Sequence, residues 1–236
     1  MISPSIAVII PVLNEAGTIN RVLHGLDKLN LQPRLEVIVV DGDPRITTLK
    51  GIQENSLYNI HLKTATALQG RGVQMNTGAK LAKADILLFL HADTLISKAA
   101  FQELQAEMKT DSGIAGGAFD LKIRSPKKRY RLIETMANAR SRITRIPYGD
   151  QAIFIRSGTF KRLGGFADIP LMEDVELMRR IKKRKERIVI LHQRVETSAR
   201  RWEREGAVKC TLRNWLLISL YLLGTPPKRL AEFYKF

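Results

Sequence analysis

The chain has 236 residues, of which 44% are hydrophobic and 26% are charged, and its formal net charge is +16. This length and composition suit one large globular domain, or a domain with an appendage. The single cysteine, Cys210, excludes an intramolecular disulfide and suits a reducing compartment. No apolar stretch reaches the ~18–20 residues that span a bilayer, and the N-terminus lacks the basic region of a signal peptide. We therefore expect a cytoplasmic protein.

The positive charge is concentrated after position 120. Lysines and arginines recur in four segments, at 122–131, 140–145, 179–187 and 200–213. Such a field attracts polyanions, which include nucleic acids, anionic membranes and phosphorylated substrates. The simpler interpretation is a solvated charged surface, which is usual for mixed charge runs.

Apolar strand patterns alternate with helical patterns over the first 109 residues. Strands are predicted at 6–12, 35–42, 58–62 and 86–90. Helices are predicted at 19–29, after a turn at 14–18, and at 47–53 and 70–83. The runs at 6–12, 35–42 and 86–90 are nearly continuous, which is typical of strands that are buried on both faces. Alternation of this kind predicts βαβ units around a parallel sheet.

The second part of the chain is less regular. Strands are predicted at 114–123, 150–155 and 187–191, and helices at 127–145, 157–165 and 173–185. Two further helices are predicted, one at 206–223 and one that begins at Pro226 and Pro227, because proline suits a first helical turn. We expect an α/β domain over 1–205, with halves at 1–109 and 110–205, and a helical extension over 206–236.

Carboxylates follow strands or open a helix at three points. Asp41 and Asp93 end predicted strands, and Glu173 and Asp174 begin a helix. Open parallel sheets bind ligands at the carboxyl ends of their strands. Taken singly, Asp93 could cap the next helix and the acidic pair could serve the helix dipole. Together, the three points better suit a site for a nucleotide and a metal.

Six motifs in this order resemble those of family 2 glycosyltransferases, whose fold is GT-A. They are residues 8–15, 39–42, 70–76, 91–93, 149–152 and 170–176. The resemblance covers roughly residues 6–202. It is greatest to a short, soluble bacterial subgroup described as selenodomain-associated or family 2-like transferases. It implies a Rossmann-like, mostly parallel central sheet flanked by helices.

The resemblance also implies roles for residues that bind the donor. The loop that contains Pro11, Val12, Asn14 and Glu15 resembles the wall of the nucleotide pocket. Asp41 matches an aspartate that recognises the base, although the turn at 42–48 departs from the family pattern and leaves the base open. Arg71 would face the nucleotide or its phosphates. The donor would be linked to UDP, GDP or dTDP.

His91, Ala92 and Asp93 occupy the place of the metal-binding Asp-X-Asp motif. Since His91 replaces the first aspartate, Asp93 is the main protein ligand that we expect, with diphosphate oxygens and water completing the shell. Such an oxygen-rich site suits Mg²⁺ or Mn²⁺. His91 and His192 are weaker ligand candidates. Residues 198–202 resemble a degraded Gln-X-X-Arg-Trp motif that includes Arg201 and Trp202.

Inverting sugar transfer needs a base that accepts the proton of the acceptor hydroxyl. The family's Glu-Asp pair places this role on Asp174, with Glu173 orienting a sugar hydroxyl. Asp150 and Gln151 could line the sugar or acceptor pocket, or could form a turn before a strand. No recognisable serine or cysteine nucleophile motif is present, which agrees with single displacement.

Two other classes of protein remain as alternatives. A nucleotidyltransferase would carry a basic, Gly-rich loop after the first strand, and residues 11–15 do not form one. A nucleic-acid-binding protein would suit the net charge. Aromatic residues are only 6% of the chain, no stacking motif is present, and we expect no nucleic-acid partner.

The helix predicted at 206–223 is apolar on nearly all sides between Trp215 and Leu223. A helix of this kind is buried in protein, in a dimer or against a membrane. Basic neighbours and aromatic residues favour peripheral contact with the cytoplasmic leaflet, which would suit a lipid-linked or otherwise apolar acceptor. Packing against the catalytic domain or in a homodimer is the alternative.

Overall fold

A computed structural model describes residues 3–233; residues 1–2 and 234–236, which belong to the predicted terminal segments, lie outside the described residues. One seven-stranded sheet runs through both predicted halves in the order β3-β2-β1-β4-β6-β5-β7. Its strands are β1 (Ile6–Val12), β2 (Leu35–Asp41), β3 (Ile60–Thr66), β4 (Ile86–Phe89), β5 (Ile114–Arg124), β6 (Phe154–Arg156) and β7 (Arg187–Ser198). The predicted α/β class and mostly parallel sheet are confirmed.

Helices cover both faces of the sheet and continue beyond it. They are α1 (Ala16–Asp27), α2 (Thr47–Lys50), α3 (Arg71–Leu81), α4 (Lys98–Thr110), α5 (Arg129–Thr144), α6 (Ser157–Arg162), α7 (Glu173–Lys183), α8 (Arg200–Glu205), α9 (Ala207–Leu222) and α10 (Pro227–Glu232). Short 3-10 turns lie at Glu54–Ser56 and Gly149–Gln151. In the part of the chain that is described, no helix is both long and apolar enough to cross a bilayer.

The first four strands form the parallel part of the sheet. Strand β1 pairs with β2 on one side and with β4 on the other, and β2 pairs with β3. Alternate residues of β1 enter opposite cores, because successive side chains of a strand point to opposite faces. The register places Val12 opposite Asp41 and Ile9 opposite Phe89, so these three strands end at the same edge.

Strand β6 joins this parallel part to the remaining strands. It runs antiparallel to both β4 and β5, while β5 runs parallel to β7. Two glycines of β5 permit the close packing. A Cβ on Gly117 would lie 2.0 Å from the carbonyl oxygen of Val189, and one on Gly116 would lie 2.4 Å from that of Phe154. Any larger residue at these positions would push the strands apart.

Three predicted strand boundaries are wrong. Strand β3 covers Ile60–Thr66 rather than 58–62, since the Asp27 carboxylate binds the N–H groups of Tyr58 and Asn59. Strand β6 begins at Phe154 rather than at 150, because the 3-10 turn precedes it. Strand β7 continues to Ser198 rather than ending at 191, because it resumes pairing with β5 after a register shift.

The C-terminal region differs from its prediction in two ways. Helix α8 was not predicted, and it places residues 200–205 beside the sheet edge at the end of β7. Helix α9 is also not buried on all sides. It buries Ala207, Cys210 and Leu217 and leaves its other apolar side chains partly or largely exposed.

Candidate active site

The carboxyl ends of β1, β2 and β4 form the floor of the candidate site. Gln74, from the first half of α3, donates through Nε2 to the carbonyl oxygens of Val12 at 2.7 Å and of Val40 at 2.9 Å. Its side chain is buried, so these bonds fix the ends of two adjacent strands to one helix. Gln74 belongs to the motif at 70–76, but the sequence analysis predicts no role for it.

The loop after β2 is held by its own carboxylates. Asp41 is buried, and its two oxygens accept from the backbone N–H groups of Asp43 at 2.9 Å and Leu49 at 3.3 Å. Asp43 accepts from the Thr47 hydroxyl at 2.6 Å and from the N–H of Arg45, and these bonds lower the pKa of Asp43 to about 2. Asp41 therefore shapes this loop, and base recognition by Asp41 stays a prediction.

The loop after β1 meets helix α8. Pro11 and Val12 lie within β1, and Val12 is buried. Asn14 is exposed and has a left-handed φ of 56°, a conformation that asparagine tolerates better than most residues. The Glu15 carboxylate binds the guanidinium of Arg200 at 2.9 Å. Arg200 therefore links α8 to the loop after β1, although the sequence did not single it out.

Asp93 does not cap the helix that follows it. The cap of α4 is Ser97, whose hydroxyl accepts from the N–H of Ala100 at 3.2 Å. The helix-cap interpretation of Asp93 is therefore wrong. Burial and the nearby Glu15 carboxylate raise the pKa of Asp93, while Arg200 and Arg124 oppose them.

The two residues before Asp93 face other surroundings. Ala92 is buried in the main core. A Cβ on Gly149 would lie 2.9 Å from Nε2 of His91, so the imidazole packs directly on this glycine. Burial, with the positive charges of Arg71 and Arg201, lowers the pKa of His91 to about 3. The ring is therefore neutral at physiological pH.

The acidic pair lies at the start of α7. Met172 has a left-handed φ of 69°, and this turn directs Glu173 and Asp174 into the first helical turn. Oδ2 of Asp174 accepts from the N–H of Gly149 at 2.6 Å, and Oδ1 accepts from the N–H of the following residue. The carboxylate of Asp174 is thus fixed beside the imidazole of His91, because both groups contact Gly149.

Arg71 and Glu173 connect the two halves of the site. Nη1 of Arg71 lies 3.3 Å from Oε1 of Glu173, although 102 residues separate them. Burial raises the pKa of Glu173, and the Arg71 charge opposes this shift. The pair sits at the point where the first turn of α3 meets the first turn of α7.

The loop between α6 and α7 is clamped to α3. The side-chain amide of Asn76 donates to the carbonyl of Phe166 at 2.9 Å and accepts from its N–H at 2.8 Å. A Cβ on Gly72 would lie 2.7 Å from the carbonyl oxygen of Ala167, so glycine permits this close approach. The clamp positions the loop that leads into the acidic pair.

The 3-10 turn contributes one side chain to the cleft and one to the core. Burial, with the charges of Asp174 and Asp93, raises the pKa of Asp150 to about 6, and Arg140 opposes this shift. Gln151 is fully buried and donates to the carbonyl of Phe119 and to the Ser141 hydroxyl, each at 3.0 Å. The structure therefore brings Asp150 to the carboxylates but does not bring the Gln151 side chain there.

The family model for glycosyl transferase family 2 matches residues 7–164, which is more than half of the chain. The chain belongs to this family. The family resemblance predicted from the motifs is therefore confirmed. A comparison with curated protein sequences gave no significant match.

Solved structures similar to this family 2 chain include glycosyltransferases. The mannosyltransferase PcManGT from Pyrobaculum calidifontis, in complex with GDP-Man and Mn²⁺, has a TM-score of 0.63 and 21% identity, over 83% of this chain and 57% of its own. Residues 1–349 of S. aureus TarS give 0.63 and 20%, over 83% and 60%. The same part of TarS with UDP-GlcNAc gives 0.62 and 18%, over 82% and 58%. These likenesses confirm the fold, and the chain spans less than two thirds of each protein.

Residues 198–202, predicted to resemble a degraded Gln-X-X-Arg-Trp motif, straddle β7 and α8. Arg201 lies near Glu205, at 3.5 Å, and its charge acts on His91. Trp202 is largely buried in a small core, where its ring centroid lies 6.4 Å from that of Tyr130. The motif therefore directs Arg201 toward the cleft and places Trp202 between α5, α8 and α9.

His192 does not reach Asp93. It lies six residues before Ser198 on β7, roughly 20 Å along an extended strand. Its N–H binds the Glu103 carboxylate at 3.0 Å, and its Nδ1 lies 3.2 Å from the guanidinium of Arg142. The partners of His192 therefore come from α4 and α5 and not from the region of Asp93.

The residues of the cleft fit a divalent cation only if a bound substrate supplies further oxygen ligands. Within residues 3–233, no three His, Cys, Asp or Glu side chains are grouped closely enough to hold a metal by themselves. The charge of Asp93 nevertheless helps to raise the pKa of Asp150, as a nearby carboxylate does. A hard cation bound through one or two carboxylates, with phosphate oxygens and water, is the usual Mg²⁺ arrangement.

Proposed function

We propose that the chain transfers a sugar from a nucleotide-diphosphate sugar to a hydroxyl acceptor, with inversion at the anomeric carbon. The observation that carries this proposal is the meeting of Arg71, Glu173 and Asp174 with the His91–Asp93 segment at the carboxyl edge of a family 2 sheet. The family is one of glycosyl transferases, and the acidic pair would supply a proton acceptor beside the expected position of the diphosphate.

The donor would lie across the ends of β1, β2 and β4. The similar structures hold GDP-Man in one case and UDP-GlcNAc in another, so we propose a UDP-, GDP- or dTDP-linked sugar for this chain. Gln74 fixes the floor, and Arg71 places a cation near the diphosphate. Preorganised positive groups stabilise the negative charge that grows on the leaving diphosphate, because they need no reorganisation during reaction.

We propose Mg²⁺ or Mn²⁺ as the cofactor, with Asp93 as its main protein ligand and Asp150 beside it. When bound, the ion would neutralise charge on the diphosphate leaving group. The neutral imidazole of His91 is available to donate or accept one hydrogen bond in this region. Its contact with Gly149 turns it toward the acidic pair.

Asp174 is the proposed base. The acceptor oxygen forms a bond to the anomeric carbon, the bond from that carbon to the phosphate oxygen breaks, and the acceptor proton passes to the Asp174 carboxylate. The Gly149 N–H holds Oδ2 of Asp174 in place, and positioned bases of this kind contribute roughly 10²–10⁴-fold in rate. Glu173, paired with Arg71, would orient the sugar or the loop.

The alternatives have less support. Membership of family 2 favours sugar transfer over nucleotidyl transfer, and residues 11–15 form the end of β1 and an open turn rather than a Gly-rich loop. The basic surface suits nucleic acid, but the cleft gathers three aspartates that repel phosphate unless a cation is present. The short bacterial subgroup remains the proposed place of the chain within the family.

Thermal unfolding with a panel of nucleotide sugars tests the donor. A ligand that binds only the folded chain raises its apparent stability by mass action. We expect one nucleotide sugar to raise the unfolding temperature with Mn²⁺ and much less with EDTA. Slow hydrolysis of that donor, followed by NMR, then shows the anomeric configuration of the product. Retention would exclude the inverting mechanism, and stabilisation by no nucleotide would exclude the proposed donor site.

A further inference from the structure

Helix α9 presents a largely apolar stripe to solvent, interrupted by the exposed Ser219. Residues 208, 212, 215, 216, 222 and 223 share this side, because their spacing of three, four and seven residues places them on one helical face. Their exposed fractions are large for apolar side chains: Val208 72%, Leu212 56%, Trp215 41%, Leu216 59%, Leu222 52% and Leu223 83%. We call this set the α9 stripe. Contiguous exposed apolar surfaces of this kind mark interaction sites.

The opposite face of α9 is fixed to the catalytic part of the chain. Leu217 is buried with Leu171, which lies two residues before Glu173. The guanidinium of Arg179, on α7, lies 5.6 Å from the ring centroid of Tyr221. The stripe is therefore mounted on a helix that packs directly against the loop and the helix of the acidic pair.

The neighbouring helix α5 adds further exposed apolar side chains. Leu132, Met136 and Ile143 are 65%, 40% and 81% exposed. Helices α5 and α9 share a small core that includes Tyr130 and Cys210. Helix α5 thus also leaves apolar side chains unburied, on its side opposite the buried Tyr130 and Ser141.

Basic residues predominate around the stripe, although Glu205, just before α9, pairs with Arg213 of α9. Helix α9 contains no acidic residue, and Glu232 is the only one between positions 206 and 233. Lys209, Lys228 and Arg229 are exposed beside or beyond the stripe. Basic residues that flank an apolar helical face with a tryptophan are typical of helices that lie in the interface of an anionic bilayer.

We propose that the α9 stripe docks on an anionic lipid bilayer, with α9 lying in the plane of the membrane surface. Two copies of the chain would instead bring together surfaces that are both basic, on molecules that each carry a net charge of +16, so charge complementarity favours the lipid over a second copy. The length of α9, 16 residues, permits an interfacial position.

Docking through this face would hold the acidic pair close to the membrane surface. An acceptor hydroxyl carried on a lipid could then reach the cleft without leaving the bilayer. This second statement rests on the proposed sugar transfer, whereas the docking itself does not.

Vesicle sedimentation with the full chain tests the docking, in the absence of donor and metal. The probes are vesicles of phosphatidylcholine alone and of equal parts of phosphatidylcholine and phosphatidylglycerol. We expect binding to the anionic vesicles, reduced several-fold at high salt by screening. The variant Leu212→Ser/Leu216→Ser should bind at least about tenfold less, since two exposed apolar side chains no longer enter the lipid.

The matched control is Tyr58→Ser/Leu81→Ser. It also removes two apolar side chains that are substantially exposed, at 69% and 41%, but these lie outside the stripe, before β3 and at the end of α3. We expect it to bind like the unaltered chain. A second readout is quenching by brominated lipids, which should act on Trp215 and vanish in Trp215→Phe, because Trp202 is only 9% exposed.

Three results would overturn the docking. The unaltered chain could stay in the supernatant with anionic vesicles at low salt. The control could lose as much binding as the stripe variant. Sedimentation velocity could show a dimer that Leu212→Ser/Leu216→Ser dissociates, which would assign the stripe to a second copy. Donor binding, measured without vesicles, is independent of all three, so failure of the docking and failure of the proposed function are distinguishable.

Discussion

The two halves of the sheet use their polar residues in different ways. In the first half, the hydrogen bonds of Asp41, Asp43 and Gln74 go to backbone groups of adjacent loops and strands and to the Thr47 hydroxyl. In the second half, Asp150 and Glu173 retain raised pKa values in the cleft. The comparison indicates a rigid loop after β2 on one side and chemically responsive carboxylates on the other, a group that also includes Asp93 at the end of the first half.

The direction of the pKa shifts shows the same contrast. Hydrogen bonds that favour the charged form lower the pKa of Asp43, while burial near other carboxylates raises that of Asp150. A group of the first kind stabilises the fold as a carboxylate. A group of the second kind costs stability as a carboxylate, and costs of this kind are common at functional sites.

The largest expected effect lies in the second half. Asp174→Asn should lower the turnover of sugar transfer by roughly 10²–10⁴-fold, because the base is lost, and should leave donor binding nearly unchanged. Single-turnover kinetics and calorimetry measure the two quantities. Glu176→Gln, on the same helix, is the control and should retain turnover. Near-normal turnover in Asp174→Asn would place the base elsewhere, with Asp150 the next candidate.

Asp93→Asn should weaken metal-dependent nucleotide binding by at least roughly 10–100-fold, since even residues outside the ligand shell cost that much. Calorimetry with UDP and Mn²⁺ measures the loss, and circular dichroism should show an intact fold. Glu107→Gln removes an exposed carboxylate from α4 and should bind normally. If Asp93→Asn binds UDP and Mn²⁺ as the unaltered chain does, Asp93 is not the ligand.

The rigidity of the first half can be tested at Gln74. Gln74→Leu leaves the carbonyls of Val12 and Val40 without their buried donor, and we expect the free energy of unfolding to fall by about 2 kcal/mol. Urea denaturation measures it. Gln102→Leu, at an exposed position of α4, should change it little. If the two variants were equally stable, the hydrogen bonds from Gln74 to the ends of β1 and β2 would contribute little to the free energy of unfolding.

The smallest effect concerns Asp150 and depends on pH. Its folded pKa of about 6 lies above the ordinary value of 3.8. The unfolded chain therefore ionises first, and the fold loses stability as pH rises from about 4 to about 6. Metal-free Asp150→Asn should then be more stable than the unaltered chain at pH 7.5, by about 1 kcal/mol after allowance for solvent screening, and equal to it near pH 3.5.

Asp43→Asn is the mirror experiment in the first half. Its folded pKa of about 2 lies below the ordinary value, so its contribution is present above about pH 4 and is lost as pH falls through about 2. We expect Asp43→Asn to be less stable than the unaltered chain at pH 7.5. Denaturation curves at two pH values that show the same sign for both variants would contradict the contrast between the halves.

The parallel half of the fold could be predicted because its signals are local. Runs such as Ile6–Val12 are apolar throughout, and short loops connect them to amphipathic helices. The extent of β7 could not be predicted, since its later residues alternate in polarity and pair with β5 only after a register shift. Helix α8 is six residues long and carries little periodic signal.

Part of the site could be predicted from the sequence for a related reason. The motifs contained Arg71, Asp93, Asp150 and the acidic pair, and the fold gathers these residues into one cleft. Gln151 and Trp202 share motifs with cleft residues, yet their side chains point into cores, and a motif does not reveal which way a side chain points. Arg200 could not be predicted, because its contact is with Glu15, 185 residues away in the sequence, and no local pattern indicates such a contact.

The position of β6 also has a consequence for synthesis of the chain. Strands β1 to β4 come from residues 6–89, and β3, β2 and β1 all lie on one side of β4 in the sheet. The other edge of β4 is completed by Phe154–Arg156, which leaves the ribosome more than sixty residues later. During that interval a nascent chain presents an apolar strand with open hydrogen-bonding groups, the kind of edge that recruits foreign strands. We therefore expect this strand edge to be most exposed to foreign pairing while residues 90–153 are being made.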